Sequence, residues 1–162
     1  PPPHAIGDEH PRVRGVAAVS LGRLGIRDTR PLLLQLTRDA SMPVRASAVE
    51  GLLRLGDSSA VLVATDLARH PDPSVRAATA QALGMSADKQ GLAILQALLH
   101  DQQPQPRLFA AKALGKTTPP SFTLLKKGLH DSDSAVRITA AGSLIRQVDR
   151  HNKSTASKGR KG

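Results

Sequence analysis

The sequence predicts an all-α fold, an α–α superhelix built as a short right-handed solenoid of about five helix pairs, the first pair truncated. Three observations predict it. Arginines recur at Arg14, Arg45, Arg76, Arg107 and Arg137, spaced 31, 31, 31 and 30 residues apart. Leucine stands seven residues after each of them, at Leu21, Leu52, Leu83, Leu114 and Leu144. The third and fourth positions after each arginine are small: Ala17–Ala18, Ala48–Val49, Thr79–Ala80, Ala110–Ala111 and Ala140–Ala141. Residue classes held in phase over five units are the mark of a repeat architecture.

Each unit reads as two helices. The first begins near residues 29, 58, 88 and 119, carries apolar stripes such as "LLLQL" and "LAILQALL", and ends near Arg38, Arg69, His100 and His130, where a cation suits the negative end of the helix dipole. A short segment rich in Asp, Pro and Ser follows, for example "HPDPSVR" and "DSDSAVR", which favours a turn and then a helix start. The second helix runs from about the arginine for a dozen residues. Gly25, Gly56, Gly84 and Gly115 fall near its C-terminal end, where a left-handed residue is often needed. Small residues at its centre let neighbouring backbones approach. One helix pair cannot bury its stripe alone, so the units must stack.

The units fall near residues 8–28, 29–56, 57–87, 88–118 and 119–148, giving a solenoid over 1–150 and a basic, disordered tail over 151–162. The sequence opens "PPPHAIGDEH", without an initiator methionine, and reads as a piece of a longer protein. Phe109 and Phe122 are its only aromatics, so the core must be aliphatic. The absence of cysteine excludes disulfides and zinc–thiolate sites. No apolar run is long enough to span a bilayer, so no membrane partner is expected, and the compartment is not written in the sequence. Half of the net charge of +10 sits in the last 17 residues, where six Lys and Arg face only Asp149.

The pattern D-x-x-x-x-V-R-x-x-A-A-x-A-L-G, as in "HPDPSVRAATAQALG" (70–84) and "DSDSAVRITAAGSL" (131–144), resembles the HEAT-like repeats of the phycobilisome-lyase type. The fourth unit departs from it with Pro106 in place of Val. The wider group includes bilin lyase subunits, deoxyhypusine hydroxylase, solenoid DNA glycosylases and adaptor modules. The hydroxylase pattern puts His-Glu pairs at the start of second helices. Arg14-Gly15, Arg45-Ala46 and Arg76-Ala77 stand there, so that activity is not expected. The resemblance further implies that second helices line a concave surface.

The repeated arginines, Arg14, Arg45, Arg76, Arg107 and Arg137, sit where a positive charge opposes the helix dipole. They read as structural, each paired with a fixed carboxylate or carbonyl from the preceding turn or a neighbouring repeat; Asp8, Asp39, Asp101 and Asp131 recur in step with them, and His70 takes that place in the third unit. His70, His100 and His130 lie on successive units, too far apart to converge on one metal, so no metal site is expected.

Positions two, five and nine after each arginine share one helix face and vary between units. They form the candidate binding face: Arg23, Arg54, Gln81, Met85, Phe109, Lys112, Lys116 and Arg146, with a basic row Arg23–Arg54–Lys116–Arg146. No nucleophile constellation, phosphate loop or H-E-x-x-H occurs, and neither catalytic residues nor a cofactor are expected. The function read from this is a non-enzymatic scaffold or adaptor that binds a protein partner, with an acidic one suited to the groove. Two alternatives stand beside it: a subunit of a bilin-lyase-type enzyme, and a duplex nucleic-acid-binding solenoid gripping phosphates through Lys and Arg.

Overall fold

A computed structural model describes residues 3–84 and 89–159, with side chains from 5 to 154. Its described residues form a 3-10 helix at Pro3–Ile6, then α1 (Pro11–Leu24), a 3-10 turn at Arg27–Thr29, α2 (Arg30–Leu36), α3 (Met42–Arg54), α4 (Ala60–Leu67), α5 (Pro73–Leu83), α6 (Lys89–Leu98), α7 (Pro104–Leu114), α8 (Phe122–Gly128) and α9 (Ser134–Gly159). Every second helix, α1, α3, α5, α7 and α9, starts three residues before its repeated arginine. Proline opens α1, α5 and α7, where its missing N–H costs nothing and its fixed φ suits the first turn. The chain is an all-α superhelical repeat fold. No described helix is long and apolar enough to cross a membrane.

The second helices pack on one another in order, α1 on α3, α3 on α5, α5 on α7 and α7 on α9, and each first helix lies beside its neighbouring second helices. The core runs along this seam. Leu52, Leu83 and Leu114 are fully buried, each worth roughly 1.5–3 kcal/mol of transfer free energy. Ala18, Ala48, Ala80, Ala110, Ala111 and Ala140 are fully buried beside them. Leu33, Leu95 and Leu125 drop into the seam from the first helices.

The glycines divide into two uses where the sequence suggested one. Gly25 and Gly56 have positive φ, 69° and 80°, and turn the chain out of a second helix. Gly84 and Gly115, expected to do the same, keep right-handed φ values of −60° and −62°. They serve close approach instead: a Cβ on Gly115 would lie 2.6 Å from the Cβ and Oγ of Ser143 on α9. The first joint is as close and meets backbone: a Cβ on Gly22 would lie 2.6 Å from both Cα and O of Gly51.

Three of the repeated arginines, Arg14, Arg76 and Arg107, each tie their unit to the next. Nε and Nη2 of Arg14 donate to the two carboxylate oxygens of Asp39 at 2.7 and 2.8 Å, and Nη1 donates to the carbonyls of Asp8 and Glu9. Arg76 repeats this with Asp101 and the carbonyls of His70 and Pro71. Arg107 repeats it with Asp131 and the carbonyls of Asp101 and Gln102. The carboxylate thus comes from the following unit and the carbonyls from the preceding turn. The same carboxylates accept the amide two residues on, as Asp39 does from Ser41. Hydrogen bonds from the guanidinium are the first cause that holds Asp39, Asp101 and Asp131 below the usual carboxylate range.

The clamp is incomplete at Arg45. Its partner position holds His70, whose Nδ1 accepts the Asp72 amide at 3.1 Å, so the imidazole reproduces the turn but offers no second acceptor to a guanidinium. Arg45 turns and donates Nε to the carbonyl of Asp39 at 2.5 Å. His70→Asp is therefore expected to complete the clamp and stabilise the protein by about 1 kcal/mol at neutral pH, with the gain lost in acid. Urea unfolding at both pH values checks it; an unchanged midpoint at neutral pH would show that Arg45 cannot reach that carboxylate.

α9 continues as helix through Gly159, across the boundary drawn at residue 151 from the sequence. Residues 143–158 contain neither Gly nor Pro, and Gln147 pins the helix from within. That side chain is 1% exposed; its Oε1 accepts the Ser121 amide at 2.8 Å and its Nε2 donates to the Leu114 carbonyl.

Candidate functional site

The face at positions two, five and nine runs along one side of each second helix; position nine lies toward solvent, while position two tucks partly against its neighbours, with Ala78 and Phe109 on the core and Ser47 beside Gly15 of α1. Val16, Arg23, Gln81, Lys112, Lys116 and Arg146 are exposed there, while Ser47, Ala78, Phe109 and Thr139 are half-buried. Met85 lies outside the described residues. Lys112 holds its ammonium 5.9 Å from the centroid of the Phe109 ring, within cation–π range.

Arg54 and Glu50 depart from the even basic row. Glu50 is 8% exposed and accepts from Nε and Nη2 of Arg54 at 3.0 and 2.8 Å. The pair neutralises the second unit's contribution, so Arg23 is separated from the remaining cations. Arg146 donates to Ser143 Oγ at 2.8 Å and has no carboxylate within salt-bridge distance among the described residues. The same is true of Lys112 and Lys116.

The basic density gathers on the fourth and fifth units. Arg150, one turn beyond Arg146, donates to the carbonyls of Gly115 and Lys116 just past the end of α7, where the helix dipole favours a cation. Lys153 is exposed one turn further on. The sequence reading put Lys153 in the tail and did not count Arg150, the last residue of the solenoid, among the residues of the face. The uninterrupted helical composition of 143–158 was the signal that could have placed them on the face, since one helix carries Arg146, Arg150 and Lys153 at spacings of four and three.

The five repeated arginines stand apart from this face. Arg14, Arg76 and Arg107 are bidentate to carboxylates, Arg45 holds a carbonyl, and Arg137 holds the carbonyls of Asp131 and Ser132. No group of three or more His, Asp or Glu side chains that could hold a metal occurs among the described residues. His100 and His130 are exposed on successive units, with no side-chain hydrogen bond among the described residues.

A repeat that stacks helix pairs through a shared seam and exposes one face of its second helices defines a helical-repeat protein. Residues 3–69 and 61–146 match the family of HEAT repeats, and the chain belongs to it. Among solved structures, it is similar to the complex of CpcE and CpcF of phycocyanin lyase from Nostoc sp. PCC7120, at 24% identity and a TM-score of 0.62, over 90% of this chain and 63% of that one. The chain thus spans less than two thirds of that relative's length. It is also similar to an engineered protein at 20% identity and a TM-score of 0.59, over 89% of this chain and 76% of that one. These likenesses concern the fold. No curated protein matches.

Proposed function

We propose that this chain is a non-enzymatic binding module that takes an acidic segment of a partner protein along the exposed face of its second helices. One observation carries the reading: three of the repeated arginines, Arg14, Arg76 and Arg107, are paired with carboxylates in the joints, whereas Lys112, Lys116 and Arg146 stand exposed without one on the variable face of the second helices. Such cations would steer an acidic partner and set its register, with Phe109 offering an apolar contact beside them. Arg23 extends the face at the far end, and Gln81 lies between. Arg54, neutralised by Glu50, supports the fold of the face.

The triple reversal Lys112→Glu, Lys116→Glu, Arg146→Glu is expected to weaken capture of a fluorescent oligoglutamate peptide at least about tenfold at low salt, leaving the far-UV spectrum unchanged. Undiminished capture would refute the assignment. A duplex DNA probe of equal charge serves as comparator; tighter binding to it than to the peptide would favour the nucleic-acid reading instead. The bilin-handling reading draws little from this face, where Phe109 is the one aromatic side chain. An unchanged bilin absorbance spectrum on mixing is the expected result.

A further inference from the structure

One interior joint of the array lacks the carboxylate that the others carry. Arg14, Arg76 and Arg107 each donate Nε and Nη2 to an aspartate of the following unit. Arg45 stands in the same register between the second and third units, half-buried, with His70 in the place of that aspartate. Its Nε is spent on the Asp39 carbonyl, and its Nη1 and Nη2 meet no acceptor among the described residues. The Asp39 carboxylate does not serve them, because Arg14 and the Ser41 amide already hold it. Both units that form this joint are complete, α2 with α3 and α4 with α5.

The Arg45 side chain lines an open groove of about 980 Å³ between α2 and α4. Arg38, just past α2, and Asp66, in the last turn of α4, line it too. Pro31, Leu34 and Leu62 continue it as an apolar wall, on which Leu62 is 68% exposed. The counterpart between the fourth and fifth units, where Arg107 holds Asp131, measures only about 360 Å³. The joint without its own carboxylate is thus the one that opens onto a large, partly apolar groove.

We propose that this groove takes an extended segment of a partner protein in which an aspartate or glutamate is flanked by large aliphatic residues. The partner's carboxylate accepts from Nη1 and Nη2 of Arg45, doing for this joint what an internal aspartate does for the others. The flanking aliphatic side chains cover Leu34 and Leu62. Charge selects this occupant, because Arg38 and Arg45 face a single uncommitted carboxylate, that of Asp66. A guanidinium fork also suits a carboxylate better than any neutral group, through two parallel charge-assisted bonds. The site does not rest on the basic face of the second helices, since Lys112, Lys116 and Arg146 do not line it.

Titration of the isotope-labelled 162-residue chain with the capped peptide GLDLG, followed by nitrogen–proton NMR, tests the proposal. The amides of α2 and α4 and the Nε–H of Arg45 are expected to shift, with a Kd of about 1 mM or tighter. The peptide GLNLG, which keeps the shape and loses the charge, should bind at least about tenfold more weakly. That comparison uses the unaltered chain, so no folding defect enters it. Arg45→Met should lose the aspartyl peptide to the same degree. His70→Asp should lose it as well, because Arg45 then has a carboxylate of its own.

Five results would each overturn the proposal: no shift up to about 10 mM peptide, equal affinity for the two peptides, shifts confined to α7 and α9, undiminished binding by Arg45→Met, or undiminished binding by a His70→Asp chain whose urea midpoint has risen. Shifts confined to α7 and α9 would place the peptide on the basic face instead. Movement of the α2 and α4 amides with protein concentration alone would also overturn it, by seating a second copy of the chain in the groove.

Discussion

Gly51→Ala is expected to cost about 3 kcal/mol, at the top of the range for overpacking, whereas Gly142→Ala is expected to add about 0.5–1 kcal/mol. The two substitutions are chemically identical and both fall inside second helices. A Cβ on Gly51 would lie 2.6 Å from the carbonyl oxygen of Ala18 and 3.0 Å from Leu33 Cδ2. Backbone is the harder of the two to move, and the α1–α3 joint must open to admit the methyl group. A Cβ on Gly142 would meet only Arg146 Nη1, at an ordinary 3.5 Å, so the usual advantage of alanine over glycine in a helix remains. Urea unfolding followed by far-UV circular dichroism measures both. Because each unit touches mainly its neighbours, hydrogen exchange in Gly51→Ala should accelerate in α1 and α3 before α7 and α9. Equal effects of the two substitutions would mean that helix propensity, and not the approach of α1 to α3, sets the outcome.

Removing one clamp comes next in size. Arg107→Met is expected to destabilise by about 2 kcal/mol, since it deletes two charge-assisted bonds to Asp131 and leaves that carboxylate short of its partner. The pair is largely but not wholly buried, with side chains 13% and 10% exposed, so the cost stays below that of a fully desolvated pair. Asp131→Asn should cost slightly less, because the amide still accepts one bond, and the double variant should cost less than the two singles together. Additive losses would show that Arg107 acts through its carbonyl bonds alone. The pH dependence has a definite sign. A carboxylate held below its unfolded value, about 3.9, adds stability above that pH and loses it as the pH falls through the lower folded value. Asp39, Asp101 and Asp131 are all of this kind, so stability should fall below about pH 4, and Asp131→Asn should flatten that fall.

Much of this architecture was legible before any coordinate. The phase of Arg, Leu and the small pair named the helices and the buried side of each, because a helix that must bury one stripe against identical neighbours repeats the same residues at the same offsets. Variation between units separated the exposed Arg23, Gln81, Lys112, Lys116 and Arg146 only in part, because Glu50 varies at the same register and is buried. The candidate face was less legible in its charge. Arg54 and Arg146 look alike in sequence, and only the burial of Glu50 one turn before Arg54 separates a neutralised cation from an unpaired one. Lys153 was assigned to a tail, and Arg150 left off the face, because composition alone does not reveal that Gln147 pins α9 against the loop before α8.

The sequence by itself determined the repeat, its register and the aliphatic core, all of which follow from local preference multiplied by periodicity. Tertiary structure alone decided which acid Arg14, Arg76 and Arg107 take. The acid six residues before an arginine and the one 24 or 25 residues after it are equally regular in the sequence, and only the stacking distance between units brings the later carboxylate onto the guanidinium while turning the earlier residue's carbonyl toward it. The same distance, set where Gly22 meets Gly51 and Gly115 meets Ser143, decided which glycines turn the chain and which let two helices touch. Spacing along a chain records what must recur; how closely two backbones come together is a property of the packed array.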